Sequence, residues 1–170
     1  KWFSKKWFRN GGQGAPLAPI FHKLISTKIK KEFNLSFPIN IINIGGITNI
    51  TQISDDENLK AYDLGPGNCL IDEWIRKNSD KTFDENGSVG KSGKVNDLIF
   101  NQAVDNFSNF SLVESLDVKD FDISFAKGLS LEDGCATITK FSAYLITEGL
   151  KKLNKTKNDF KKTYILCGGG

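Results

Sequence analysis

Three hydrophobic segments of this chain each run into a glycine turn. They span residues 39–46 (INIINIGG), 61–68 (AYDLGPGN) and 164–170 (YILCGGG). Glycine adopts positive φ and lets other groups approach the main chain closely, so glycines at strand ends are typical of sites built from backbone N–H groups. The pattern predicts a binding site at the strand ends, with a phosphate or a nucleotide as its ligand.

Composition narrows the class of protein. With 39% hydrophobic residues over 170 positions, the chain has enough apolar material for one domain with a core. The net charge of +3 comes from lysines, because Arg9 and Arg76 are the only arginines. Arginine is the residue that phosphate and base recognition prefers, so nucleic acid is not the expected partner. No apolar run approaches the roughly 20 residues of a membrane span, and no membrane partner is expected.

The cysteines and the single histidine give no metal site. Cys69, Cys135 and Cys167 are widely spaced and form no Cys-x-x-Cys pair, which argues against zinc and against a disulfide framework. Their pattern favours a reducing cytoplasm. His22 is more typical of a satisfied, partly buried imidazole than of a catalytic group.

The hydrophobic pattern predicts the order helix, three strands, helix, insertion, helix and strand. This order is typical of an α/β domain with a mixed sheet. The strands are predicted within residues 39–53, around the double glycine, and at residues 59–64. The first helix is predicted to start near Pro16, and its buried face is predicted to contain Leu17, Ile20, Phe21, Leu24 and Ile25.

Further helices are predicted from caps and periodicity. Asn68 is predicted to cap a helix, and a long helix is predicted over residues 130–153, starting at Ser130. Residues 95–107 favour a helix between these two, whereas loops are indicated at Asn86-Gly87, Gly90 and Ser92-Gly93. The buried face of the Asn68 helix is predicted to contain Leu70, Ile71, Trp74 and Ile75.

The segment at residues 43–49 (NIGGITN) places a double glycine between two strands. Such a turn can point successive N–H groups at an oxyanion. An ordinary β-hairpin bend has the same spacing, and the sequence does not separate the two interpretations.

The segment at residues 63–68 (DLGPGN) couples a carboxylate at a strand end to a helix N-terminus. A helix start with spare N–H donors can hold an anion or a sugar hydroxyl, and Asp63 can hold a hydroxyl or hydrated Mg²⁺. A plain strand-to-helix connector is the alternative. The density of special residues favours the functional interpretation.

Taken together, these motifs resemble the anhydro-N-acetylmuramic acid kinases. They keep the order and the intervals of that family over nearly the whole chain, equivalent to the second half of such a kinase. The matching segments are residues 11–17 (GGQGAPL) with Pro19, Phe21 and His22, residues 43–49, residues 63–68, residues 136–139 (ATIT) with Phe141 and Ala143, and residues 167–170 (CGGG).

The resemblance implies an actin-like ATPase and sugar-kinase fold, in which residues 1–170 form a ribonuclease H-like, incomplete C-terminal lobe of a two-lobed kinase. It implies ATP and Mg²⁺ as cofactors, a small-molecule sugar as substrate and the bacterial cytoplasm as location. Members open the 1,6-anhydro ring of anhydro-N-acetylmuramic acid with water and phosphorylate O6, which recycles peptidoglycan sugar. A homodimer is an open option for the full-length parent.

The resemblance also assigns roles to individual residues. Those implied to bind the nucleotide are Asn43, Gly45, Gly46, Thr48, Gly168, Gly169 and Gly170. Those implied to bind the sugar, in the cleft between the lobes, are Gln13, Gly14, Asp63, Gly65, Gly67 and Asn68.

This sequence departs from the family pattern at positions that the family needs for catalysis. The family's catalytic base is an aspartate a few residues before the Gly-Gly-Gln-Gly loop, and Trp2 stands at that position here, with Ser4 in place of an arginine. Tryptophan cannot act as a base, so no catalytic residue is assigned. The first lobe and the end of the adenosine pocket are also missing from residues 1–170, and this polypeptide alone is expected to be inactive.

Two hypotheses explain the abrupt loss of the family pattern in residues 1–9. A sequencing or reading-frame artefact on a true kinase gene would have replaced the segment that carries the aspartate. A decayed relative would instead be a catalytically inactive lobe that binds a nucleotide or a sugar. Actin-like assembly is a third option without specific sequence support.

Overall fold

A computed structural model describes residues 18–55, 58–107, 121–153 and 163–169. Along these ranges one helix is followed by three strands, four further helices and a last strand, with 3₁₀ turns at Glu85–Gly87 and Ser124–Ala126. The helices are α1 (Ala18–Glu32), α2 (Cys69–Asn78), α3 (Ser88–Ser92), α4 (Asp97–Asn106) and α5 (Leu131–Leu153). The strands are β1 (Ile39–Ile44), β2 (Ile47–Ile53), β3 (Leu59–Pro66) and β4 (Thr163–Gly168).

The four strands form one mixed sheet in the order β3-β2-β1-β4. The β1, β2 and β3 strands are antiparallel neighbours, whereas β4 runs parallel to β1. This arrangement confirms the predicted α/β class and is consistent with a lobe of an actin-like sugar kinase. The two strands predicted around the double glycine are confirmed, and β3 continues two residues beyond its predicted end.

The two faces of the sheet carry different cores. On the face that packs against α5, Ile42, Ile50 and Leu64 are buried together. On the opposite face, a second cluster is formed by Ile39, Ile41 and Ile53. The alternation of side chains along a strand puts these two sets on opposite faces, and burying each aliphatic side chain contributes about 1.5–3 kcal/mol.

The α2 and α5 helices cross closely beside the sheet. Trp74 of α2 is buried, and its indole Nε1 donates a hydrogen bond of 2.8 Å to the Leu131 carbonyl at the start of α5. Gly134 lies directly against the indole ring, where a Cβ would overlap the ring atoms. The predicted face of α2 is confirmed, because Leu70, Trp74 and Ile75 are buried.

The orientation of α1 differs from the prediction. Phe21 and Leu24 are 59% and 68% exposed, whereas His22 and Ser26 are buried. The imidazole Nδ1 of His22 lies 2.7 Å from the hydroxyl Oγ1 of Thr51 on β2, and this hydrogen bond across the sheet face fixes the rotation of the helix. The predicted apolar stripe was therefore wrong for Phe21 and Leu24, and the interpretation of His22 as a satisfied imidazole is confirmed.

Other helix boundaries show smaller differences. Asn68 makes no side-chain cap hydrogen bond, so that part of the α2 prediction was wrong. Gly90 and Ser92 lie in the short helix α3 rather than in loops. The predicted helix at 95–107 is confirmed as α4, where the Asn96 side chain accepts a hydrogen bond from the Ile99 N–H at 3.1 Å.

The long last helix is confirmed with its predicted start. The Ser130 hydroxyl accepts a hydrogen bond from the Asp133 N–H at 3.1 Å, which is typical of an N-cap. Within the described ranges, no helix combines the length and the apolar character needed to cross a bilayer.

Replacing Gly134 by alanine should destabilise the fold. Alanine normally favours a helix interior by about 1 kcal/mol over glycine, but here the methyl group would overlap the Trp74 ring. We expect Gly134→Ala to lower the free energy of unfolding by about 1–3 kcal/mol in urea titration. Gly46→Ala is the control, since no atom lies within 4 Å of a Cβ there. A stabilised Gly134→Ala protein would contradict the close helix crossing.

His22 should make stability sensitive to mild acid. Burial lowers the pKa of His22 below its ordinary 6.5, so below about pH 6.5 the unfolded chain takes up a proton that the folded chain resists. As the pH is lowered from about 6.5, the free energy of unfolding of the wild type should therefore fall more steeply than that of His22→Gln. The extra loss is up to about 1.4 kcal/mol per pH unit and stops when the pH reaches the lowered pKa of His22 in the folded protein. Urea titrations at about pH 7.5 and about pH 5.5 measure the difference. Equal losses in the two proteins would refute the neutral, buried imidazole.

Candidate functional site

Two of the predicted glycine turns meet at one edge of the sheet. The parallel register of β1 and β4 places Asn43 opposite Cys167 and Ile44 opposite Gly168. Gly168 has φ +117°, and a Cβ there would overlap the Ile44 carbonyl, so only glycine allows the two backbones to approach this closely. The carboxyl ends of β1 and β4 therefore lie side by side at one edge of the sheet. Ligands of α/β sheets bind at such carboxyl ends.

The connector at residues 65–68 is locked against the Gly45-Gly46 turn by backbone hydrogen bonds. The N–H groups of Gly67 and Cys69 donate to the Gly46 carbonyl at 2.9 and 3.2 Å, and the Asn68 N–H donates to the Gly45 carbonyl at 2.8 Å. At the start of α2, the N–H groups of Asn68 and Cys69 are thus engaged within the protein.

Glycines allow the connector and the Gly45-Gly46 turn to pack closely against each other. A Cβ on Gly67 would overlap the Gly45 carbonyl, so the connector can lie against the turn only with glycine at that position. Gly46, by contrast, is exposed and has open space on its side-chain side. The outer side of the turn is therefore accessible to a ligand.

Thr48 lies beneath the same turn. Its side chain is fully buried, and its Oγ1 has no hydrogen-bond partner within the part of the chain that the structure describes. An added Cβ on Gly67 would lie 2.9 Å from this oxygen. A ligand on the outer side of the turn does not reach Thr48 in this arrangement, and its role in nucleotide binding stays a prediction.

A bulge sets the position of Asp63 on β3. Asn49 pairs with Asp63 and Thr48 pairs with Gly65, so Leu64 is an extra residue between the two pairs. The bulge lets Leu64 enter the core while Asp63 stays on the opposite face. Gly65 adopts φ +153° here and approaches Leu145 of α5.

Four polar side chains cross the sheet in one row on the face opposite α5. Asp63, Asn49, Asn43 and Cys167 follow each other in register on β3, β2, β1 and β4, and we call them the polar row. The Cys167 Sγ lies 3.8 Å from Oδ1 of Asn43. The three oxygen-bearing members are half-buried and Cys167 is exposed, so the row is accessible from the sheet edge. Asn49 was not among the predicted site residues, although it belongs to the same motif.

An open cleft lies on the α5 side of the sheet edge. Its volume is about 1040 Å³, at the upper end for small-molecule sites. It connects the start of α2 with α5, with the segment at residues 83–95 and with the turn after β4. The lining residues are Asn68, Ile71, Asp72, Phe83, Asp84, Glu85, Asn86, Gly87, Gly90, Lys91, Gly93, Val95, Ala136, Thr139, Lys140, Ala143 and Gly169. No pattern in the sequence of residues 83–95 indicates a function.

Asp84 holds one wall of this cleft together. Its carboxylate accepts hydrogen bonds from the N–H groups of Val89 and Gly90 at 2.8 and 2.9 Å. Burial raises the pKa of this carboxyl, but these two N–H donors, with the Cys135 thiol and the Ser88 hydroxyl, outweigh burial and lower the pKa below 3.8. Asp84 is therefore a charged structural group rather than a general acid.

Other ionisable groups near the cleft also have structural partners. The Nζ of Lys140 lies 2.7 Å from Oδ1 of Asp97 and 4.5 Å from the centre of the Phe100 ring. Burial and the Asp84 carboxylate raise the pKa of the Cys135 thiol to about 12, which excludes it as a nucleophile at neutral pH. Among the described residues, no three or more His, Cys, Asp or Glu side chains cluster as a metal site.

Several predicted site residues lie outside the described ranges. These are Trp2, at the family's catalytic position, and Gln13, Gly14 and Gly170. The remaining predicted residues all lie at the carboxyl edge: Asn43, Gly45, Gly46, Thr48, Asp63, Gly65, Gly67, Asn68, Gly168 and Gly169.

A family model and the related proteins that the chain matches carry the same description. The family model described as anhydro-N-acetylmuramic acid kinase matches residues 2–170, including the segment that sequence analysis set apart as atypical. The chain is 46% identical over 172 residues to the anhydro-N-acetylmuramic acid kinase of Pelagibacter ubique, covering 99% of the chain and 45% of that relative.

More distant relatives show the same coverage. The enzyme of that name from Agrobacterium fabrum is 36% identical over 162 residues, with 95% of the chain and 42% of the relative covered. The one from Zymomonas mobilis is 37% identical over 162 residues, with 94% and 42% covered. The chain thus spans slightly less than half the length of these relatives.

Asp84→Asn should loosen the cleft wall. Asparagine is neutral and has one carbonyl oxygen instead of two. The N–H groups of Val89 and Gly90 both lose a charged acceptor, and one of them loses its acceptor altogether. We expect a loss of about 1–2 kcal/mol in the free energy of unfolding at neutral pH. Because the folded pKa is lowered, this contribution is present above pH 3.8 and disappears as the pH falls through the folded value. The exposed Asp80→Asn is the control, and an equal effect of both changes would refute the role of Asp84.

Proposed function

Because the chain belongs to the anhydro-N-acetylmuramic acid kinase family, we propose that it supplies the nucleotide-binding and sugar-binding edge of an ATP-dependent kinase. This kinase opens the 1,6-anhydro ring of anhydro-N-acetylmuramic acid with water and phosphorylates O6, in peptidoglycan recycling in the bacterial cytoplasm. The observation that carries the proposal is the parallel register of β1 and β4, which places the Gly45-Gly46 turn beside Gly168. The next residue, Gly169, lines the cleft.

The nucleotide is proposed to lie on the α5 side of the edge. Small side chains of α5, Ala136 and Ala143, leave room for a planar base beside Gly169, and Ile71 and Val95 supply apolar surface. The phosphates then extend towards the exposed outer side of Gly46, where backbone N–H groups can face an oxyanion.

The sugar is proposed to contact the polar row on the other face. Asn43 and Asn49 carry both donors and acceptors, and Asp63 accepts hydrogen bonds, a combination that suits sugar hydroxyls. In this arrangement the two ligands approach the Gly45-Gly46 turn from opposite faces of the sheet. Phosphoryl transfer to O6 then takes place at the sheet edge.

The proposed reaction also requires Mg²⁺ and a base. Mg²⁺ prefers oxygen ligands, and the polar row fits this preference because it offers the Asp63 carboxylate and two amide oxygens. When bound, the ion neutralises charge on the transferred phosphoryl group. A carboxylate must take the proton from the attacking water, and Trp2 cannot do so.

A non-catalytic lobe that binds the nucleotide or the sugar is the second candidate, because of Trp2. The longest translation product of the gene should be purified and tested for Mg²⁺-dependent ATP turnover with the anhydro sugar, and for ADP binding by calorimetry. Turnover that requires the sugar supports the kinase, and ADP binding without turnover supports the binding lobe. The absence of both would overturn the proposal.

Filling the cleft should prevent nucleotide binding. Ala143→Trp places a large ring where the base is proposed to lie, and Ala143 is exposed, so the fold should tolerate the change. We expect ADP affinity to drop more than about tenfold with an unchanged melting temperature.

Thr147→Trp is the matched control. Thr147 is also exposed and lies one turn further along α5, outside the cleft lining. Its replacement should leave ADP affinity unchanged. Similar affinities of the two variants would show that the nucleotide binds elsewhere.

A further inference from the structure

We propose that Thr48 is a positioning residue for the Gly45-Gly46 turn, and that its hydroxyl gains a hydrogen-bond partner when the turn takes up a nucleotide phosphate. The inference rests on the proposed function, because it concerns the same nucleotide. It assigns Thr48 an indirect role beneath the turn rather than a contact with the ligand.

The Thr48 hydroxyl is in an unfavourable state in this structure. Thr48 Oγ1 is buried without a hydrogen-bond partner among the described residues, and such a group destabilises the state in which it is unpaired. Other buried threonines are satisfied: Thr51 bonds to His22 at 2.7 Å, and Thr137 Oγ1 donates to the Asp133 carbonyl at 2.7 Å. Thr48 differs from them and lies directly below the predicted phosphate turn.

Thr48 is surrounded by the connector and the Gly45-Gly46 turn. The N–H groups of Gly67 and Asn68 in the connector, and of Cys69 at the start of α2, donate to the Gly45 and Gly46 carbonyls. Thr48 Oγ1 faces Gly67, which itself lies against the Gly45 carbonyl. The Gly45 carbonyl accepts the Asn68 N–H and lies on the same side of Gly67 as Thr48 Oγ1. Because a carbonyl oxygen has a second lone pair, a rotation of the Gly45 peptide that keeps the Asn68 bond can offer the Thr48 hydroxyl an acceptor.

The Gly45-Gly46 turn is held through its carbonyl groups, but its outer side is open at Gly46. Gly46 is exposed, with open space on its side-chain side, and glycine tolerates large changes in φ and ψ. A phosphate that draws backbone N–H groups outward rotates the peptides of the turn and directs a carbonyl inward. Ligand binding on the outside is thereby coupled to a hydrogen bond on the inside.

The test compares stability with affinity. Thr48→Val keeps the shape and removes the hydroxyl, so without ligand it should raise the melting temperature by a few degrees. Its affinity for ADP with Mg²⁺, measured by calorimetry on the longest translation product, should be about tenfold weaker than that of the wild type. Thr48→Ser, which keeps the hydroxyl, should retain most of the affinity.

Ser142→Ala is the matched control. Ser142 carries the other buried hydroxyl without a partner in the described ranges, and it lies on α5 outside the cleft lining. Its replacement should raise the melting temperature in the same way and leave ADP affinity unchanged.

The remaining outcomes contradict the proposal in separable ways. A stabilised Thr48→Val protein with wild-type affinity would mean that the hydroxyl has no part in nucleotide binding. A destabilised or unfolded Thr48→Val protein would mean that the hydroxyl is already satisfied without nucleotide. Absence of ADP binding in the wild type would overturn the proposed function itself, and the inference with it.

Discussion

The close parallel contact between the ends of β1 and β4 is the constraint on which the site depends. It requires glycine at position 168, because any side chain there would collide with the Ile44 carbonyl. Once this contact is made, the turn after β1 and the turn after β4 share one edge. The connector to α2 then reaches the same place, since Gly67 lets it lie on the Gly45 carbonyl. Three segments that are distant in sequence are thus brought together by two close backbone approaches.

Local patterns in the sequence predicted those features that depend on neighbouring residues. The strands around the double glycine, the buried face of α2 and the Ser130 start of α5 follow from alternation, helical spacing and capping, and each is confirmed. Features decided by distant partners were not predictable in this way. Phe21 and Leu24 point outward because His22 bonds to Thr51.

The wall of the cleft formed by residues 83–95 depends on contacts with residues distant in sequence. The Lys94 N–H donates to Asp133, and the Asn96 N–H donates to Thr137, so residues 83–95 are held against α5 by contacts about forty positions away in sequence. No periodicity or turn signal in that segment indicates such a partner. The glycine turns at the strand ends were therefore predictable, whereas the volume beside them was not.

Cys167 is an exposed thiol at the carboxyl edge of the sheet that a chemical label can reach. Cys69 and Cys135 are buried, whereas Cys167 is exposed within the polar row, next to Asn43. Thiol reagents act on accessible thiols, so a maleimide dye should attach to Cys167 in preference to the other two. The native sequence thereby carries a reporter position where the turns after β1 and β4 meet. Fluorescence at that position can follow ligand binding without any engineered residue.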